Sequence, residues 1–197
     1  MKKVMILVAA SVLTAASVAV AFVAQGGQAG DTASQKPRNT FTLAAAQAMT
    51  DYPVYNAGAS VEGLPLVAVL RRDDSAAKYV SFIYGSCYPT GDMGCAPPAE
   101  VQTWPACVRN PSLYKRNRPP SPVPEPTSVR DVPAAFFDDG QRLEIQAGAA
   151  TIVIFAASRD VVRRIADELR GVNNSVEAGA PLPHPTPGSV EGTLTCR

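Results

Sequence analysis

The chain has 197 residues, with 18 Lys and Arg, 17 Asp and Glu and a single His, for a formal net charge of +1. That length holds one domain, or two small ones, beyond any targeting segment. A balance so close to neutral leaves no electrostatic footprint for nucleic acid, and the lone His184 confines any Ser-His or Cys-His mechanism to one position.

Lys2 and Lys3 precede an uncharged apolar run, residues 4–24. As a helix this run spans about 30 Å, roughly the hydrocarbon core of a bilayer. The two lysines would stay cytoplasmic, placing the remainder outside. A signal peptide has a shorter apolar region of about 7–15 residues, so residues 4–24 read as an uncleaved anchor whose partner is the lipid bilayer. Small residues at Gly27 and Ala29 give the alternative, cleavage near Ala29 and release. No cysteine lies at the end of the run, which argues against a lipid anchor. Setting Lys2 and Lys3 aside leaves 16 basic residues against 17 acidic, a net of −1. Residues 25–39 are polar and Gly-rich and read as a flexible stalk.

Residues 40–197 read as one extracytoplasmic α+β domain: a mostly antiparallel sheet with one well-formed helix packed on it. Phe41–Met49 is Ala-rich and helix-forming, with Thr40 or Thr42 as its cap and Asp51 and Pro53 ending it. Leu64–Leu70 reads as a strand, residues 71–77 as a turn, and Lys78–Tyr84 as the antiparallel partner. Val80, Phe82 and Tyr84 share one face and Tyr79, Ser81 and Ile83 the other. Both faces are largely apolar, which predicts a central strand. Residues 100–105 alternate as a short strand stopped by Pro105, and a helical turn follows.

Four cysteines, Cys87, Cys95, Cys107 and Cys196, lie beyond the apolar run. In an oxidising compartment an even count reads as two disulfides. Three connectivities are open; the reading adopted is Cys87 with Cys95, closing a loop of turn-forming residues, and Cys107 with Cys196, pinning the tail. Zinc would want closely spaced ligand pairs, and the wide, irregular spacing predicts neither a metal site nor a reactive thiol. No cofactor is implied.

Residues 118–127 are a Pro-rich connector, barred from a helix or an inner strand. Residues 128–137 and 141–145 flank Asp138-Asp139-Gly140, a hairpin signal. Leu143 and Ile145 point inward, Arg142 and Glu144 outward. Residues 151–156 form a continuous apolar run, as in a strand covered on both faces. Ser158 then caps a helix with Asp160 in its first turn, an apolar stripe of Val161, Val162, Ile165, Ala166 and Leu169, and Gly171 as its C′ stop. Residues 178–197 form a Pro/Gly-rich tail that needs a hold, which Cys196 supplies. The two halves share a faint echo, Leu64-Pro65 then Asp73-Asp74 against Val132-Pro133 then Asp138-Asp139. If it is a repeat, two similar β-β-β-α units share a sheet or pack their sheets.

Segments 82–110 and 132–156 resemble stretches of exported bacterial proteins, a likeness that attaches no family and carries over no residue role. No G-x-S-x-G, H-E-x-x-H, P-loop or G-x-G-x-x-G motif is present, so no catalytic residue is assigned. The function read from the sequence is an exported, membrane-anchored, non-catalytic binding or envelope-associated module with an unidentified protein or small-molecule ligand. Tyr88 and Trp104, beside prolines, are its candidate binding surface. The alternative is an extracytoplasmic hydrolase drawing on Asp73, Asp74, Asp138, Asp139 and Glu100. Asn173-Asn174-Ser175 also fits the glycosylation triplet.

Overall fold

A computed structural model describes residues 41–74, 77–86, 96–111 and 123–196. The anchor or signal segment, the stalk, the Cys87–Cys95 pair and Tyr88 lie outside the described residues. No helix among the described residues is long and apolar enough to cross a membrane.

A short helix α1 (Leu43–Gln47) begins the described chain, with the Thr42 hydroxyl accepting from Ala45 N. Two-residue strands β1 (Tyr55–Asn56) and β2 (Ser60–Val61) follow. Then come β3 (Leu64–Asp73), β4 (Lys78–Tyr84) and β5 (Ala99–Pro105). The second half holds β6 (Glu125–Val129), β7 (Val132–Phe137), β8 (Arg142–Ala147), β9 (Ala150–Ala156), the helix α2 (Arg159–Asp167) and β10 (Arg170–Gly171).

Among the described residues, eight strands make one sheet in the order β2-β3-β4-β5-β9-β8-β7-β6, and every adjacent pair is antiparallel. The order is two four-strand meanders, β2–β5 and β6–β9, joined along their last strands. The fold is therefore mostly antiparallel sheet with one well-formed helix. The faint echo read in the sequence corresponds to two units in one shared sheet, although each has four strands and only the second runs directly into a helix among the described residues.

Register explains the core. One row of side chains on the covered face runs Val69, Phe82, Val101, Ile154, Leu143 and Phe136 across six strands. The last five are at most 2% exposed, and burying each contributes about 1.5–3 kcal/mol. The stripe of α2, through Val162, Ile165 and Ala166, packs on this face with Tyr52, Val54 and Tyr55. Core hydroxyls dock the N-terminal backbone. Thr103 Oγ1 accepts from Tyr55 N (3.1 Å) and donates to Tyr55 O (3.2 Å), while the Tyr84 hydroxyl accepts from Ala57 N (2.9 Å) and donates to Gly58 O (3.2 Å). Burial pushes the Tyr84 phenol up to about 12.

Three local expectations are corrected. Strand β3 runs on through Arg71, Arg72 and Asp73, since Arg71 and Arg72 pair across to Val80 and Tyr79. Residues 128–137 are not one strand. They break at Arg130-Asp131, both left-handed (φ 47° and 70°), into the hairpin β6–β7. The Arg130 side chain supports this turn by donating to the carbonyls of Leu169 (2.6 Å), Glu177 (2.8 Å) and Ala180. Strand β5 does end at Pro105, opposite Ala150. Finally, Gly171 is not the C′ stop of α2: Glu168 is the C-cap and Gly171 pairs with Tyr55 in a separate two-strand ribbon.

Candidate functional site

Strand alternation puts a second set of rows on the opposite face of the sheet, and here polar and aromatic groups dominate. One row runs Ala68, Ile83, Glu100, Phe155, Arg142 and Phe137; the next runs Leu70, Ser81, Gln102, Val153, Glu144, Ala135 and Pro126. Tyr79 and Trp104 extend the same pattern beside Thr151 and Gln146.

Trp104, a predicted binding residue, is on this face and half-buried. Its ring lies 4.3 Å from that of Tyr79, tilted by 31°, and the Arg109 guanidinium sits 4.9 Å from its centroid. Its Nε1 donates to Gln102 Oε1 (2.9 Å); Gln102 Nε2 donates to Glu100 Oε1 (2.8 Å), which also accepts from the Ser81 hydroxyl (2.5 Å). Beside this chain is an ionic cluster. Arg109 grips Glu144 through Nη2 (2.5 Å) and Nε (3.3 Å), Arg142 Nη1 stands 3.7 Å from the same carboxylate, and Arg142 Nε lies 3.1 Å from Asp138. The Glu144 side chain is 3% exposed. Arg142 also stacks on Phe137 at 4.5 Å. Among the described residues, two guanidinium groups thus meet two carboxylates and their charges balance.

At the β6–β7–β8 end this face opens into a cavity of about 280 Å³, walled by Pro111, Pro124, Pro126, Pro133, Phe137 and Val190, with Glu144 and Gln146 beside them. The alternation is legible in retrospect. Pro126 lies on the edge strand opposite Ala135 and Pro124 just precedes that strand, so the segment that reads as a stiff connector in the sequence supplies two residues of the wall. The signal for this is the spacing of two between the prolines.

The acidic pairs do not converge. Asp73 and Asp74 are exposed beside Arg71 (2.5 Å) and Arg72 (2.7 Å), and Asp138 and Asp139 occupy the β7–β8 turn. Glu100 does sit on the sheet, facing the same way as Glu144. Two strand spacings and a two-residue offset separate their backbones by about 12 Å, and both carboxylates already hold partners. His184 is exposed on the tail, and no group of three or more His, Cys, Asp or Glu among the described residues could hold a metal ion.

Cys107 and Cys196 form a disulfide with Cα atoms 5.3 Å apart, tying the tail to the turn after β5. Asn173, the glycosylation acceptor in the triplet, is committed elsewhere: Oδ1 accepts from Val54 N (2.7 Å) and Nδ2 donates to Met49 O (3.0 Å) and Tyr52 O (2.9 Å). A glycan on that nitrogen would break the contacts that hold residues 49–54. The chain matches no family model, and comparison with curated proteins and with solved structures gives no match.

Proposed function

We propose that the protein is an exported, membrane-anchored binding module. Residues 4–24 hold it to the bilayer, and the polar-aromatic face of the sheet is presented on the extracytoplasmic side. The Cys107–Cys196 bridge carries the reading, because a structural disulfide persists in an oxidising compartment and is rare where thiols are kept reduced. The uncharged run at 4–24 supplies a means of reaching such a compartment. Binding is favoured over hydrolysis because the Glu100 and Glu144 carboxylates are already engaged by Ser81, Gln102 and Arg109. Two aromatics and an arginine in mutual contact supply the side-chain types that dominate binding energetics.

The test is topological. The full chain, tagged at its C-terminus, is expressed in a bacterial host and treated with protease from outside the cytoplasmic membrane. Digestion of the tagged domain with cytosolic markers intact is the expected outcome. Full protection of the tag until the cytoplasmic membrane is broken would overturn the proposal.

A further inference from the structure

We propose that the cavity between β6, β7 and β8 is a binding site for a small neutral molecule: an apolar ring bearing one O–H or N–H donor. This deepens the binding-module reading and rests on it, but does not depend on where the protein resides.

Size and walls come first. A volume of about 280 Å³ lies at the small end of ligand sites, near 300 Å³, and suits one substituted ring. Prolines make up much of the wall. Their side chains have no rotamer freedom to lose when a ligand arrives, so the wall is preorganised.

The polar group that would read the ligand is Gln146. It is 4% exposed and borders the cavity. Among the described residues its side chain has one hydrogen-bond partner, Thr151 Oγ1 at 2.9 Å. That hydroxyl also lies 2.5 Å from the Arg109 carbonyl oxygen. A hydroxyl has one proton, and the carbonyl, which can only accept, takes it. The amide of Gln146 then turns its NH2 toward Thr151, an assignment made from the network. That leaves its carbonyl oxygen on the accessible side, where an O–H or N–H of a ligand in the cavity can donate to it.

Charge sets the rest of the specificity. Among the described residues the charges of the neighbouring cluster balance, with Arg109 on Glu144 and Arg142 close to Glu144 and Asp138. A charged ligand would lose hydration beside charges that already have opposite partners. The site therefore selects against both ammonium and carboxylate groups on the same ring.

The experiment titrates the purified full chain in detergent with phenol, anisole, benzoate and benzylamine, following each ligand's own resonances by saturation-transfer NMR. Phenol is expected to bind saturably at about 1 mM, the range open to so small a ring. Anisole, benzoate and benzylamine should each bind at least tenfold more weakly. Ala135→Met, which fills the cavity, should abolish phenol binding with the circular dichroism unchanged. Gln146→Leu should reduce phenol to the level of anisole; it keeps a second arm available should Ala135→Met not fold. Absence of saturable phenol binding to the folded chain overturns the site, as does equal binding of phenol and anisole or full retention of binding in Ala135→Met. Hydrolysis of an added glycoside would instead defeat the non-catalytic reading and leave this site standing.

Discussion

Replacing Cys107 and Cys196 together by serine isolates what the bridge contributes. The two residues are 89 apart in sequence, and closing a loop of that length removes denatured-state entropy equivalent to about 4.6 kcal/mol at 25 °C in the chain-entropy model. Native contacts are largely unaffected, because the tail has other holds. Gly148 N donates to Pro183 O (2.9 Å), Thr186 N to Gly148 O (2.9 Å) and Leu182 N to Arg130 O (3.3 Å). The effect therefore falls on the unfolded chain. Urea unfolding under non-reducing conditions should show stability falling by about 3–4.6 kcal/mol, with a steeper denaturant slope as the freed denatured chain exposes more surface. A loss below about 1 kcal/mol with an unchanged slope would refute the argument that the bridge acts by constraining that ensemble.

Glu144→Gln should lower stability by about 3 kcal/mol in the same assay, because it leaves the Arg109 and Arg142 guanidinium groups without their shared buried carboxylate; equality with wild type would mean the cluster is solvated. Tyr84 is fully buried and its phenol is pushed up to about 12, above the value near 10 of the unfolded chain. Above pH 10 the unfolded chain loses this proton first, so Tyr84 adds about 1.4 kcal/mol per pH unit to the loss of stability until about pH 12, beside Tyr52 and Tyr55, whose phenols burial also raises. Urea midpoints at pH 9 and pH 11 check this, and Tyr84→Phe should make the slope shallower by that share. Asn173→Ala removes three hydrogen bonds to residues 49–54 and should cost about 3 kcal/mol, read as early loss of amide protection in that segment. Arg164 lowers the Glu62 carboxyl below its ordinary value by hydrogen bonding to it. Its small contribution is present above the unfolded carboxylate range and is lost on acidification, so an NMR titration should place Glu62 below an unfolded peptide carboxyl.

What could be read from the sequence follows how local the cause is. Ser158 and the stripe through Val162 and Ile165 specify α2 within ten residues, and the alternation of residues 78–84 specifies a central strand. The β7–β8 turn was legible because Asp138-Asp139-Gly140 has the chemistry that a left-handed turn wants. The Arg130-Asp131 turn was not. Arg130 does not favour positive φ, no glycine stands beside Asp131, and the support of the turn comes from carbonyls at 169, 177 and 180, some 40 to 50 residues downstream. Trp104 was found from its residue type. Arg109, Arg142, Glu144 and Gln146 were missed because the order β5-β9-β8, which brings them together, comes from pairing the last strands of two meanders. No local pattern encodes that pairing.

Non-reducing peptide mass mapping of the chain from fractionated cells tests export into an oxidising space. A Cys107–Cys196 linked peptide is expected from protein in the membrane fraction, together with an intact peptide covering residues 4–24. Recovery of Cys107 and Cys196 as free thiols from soluble cytosolic protein would contradict export.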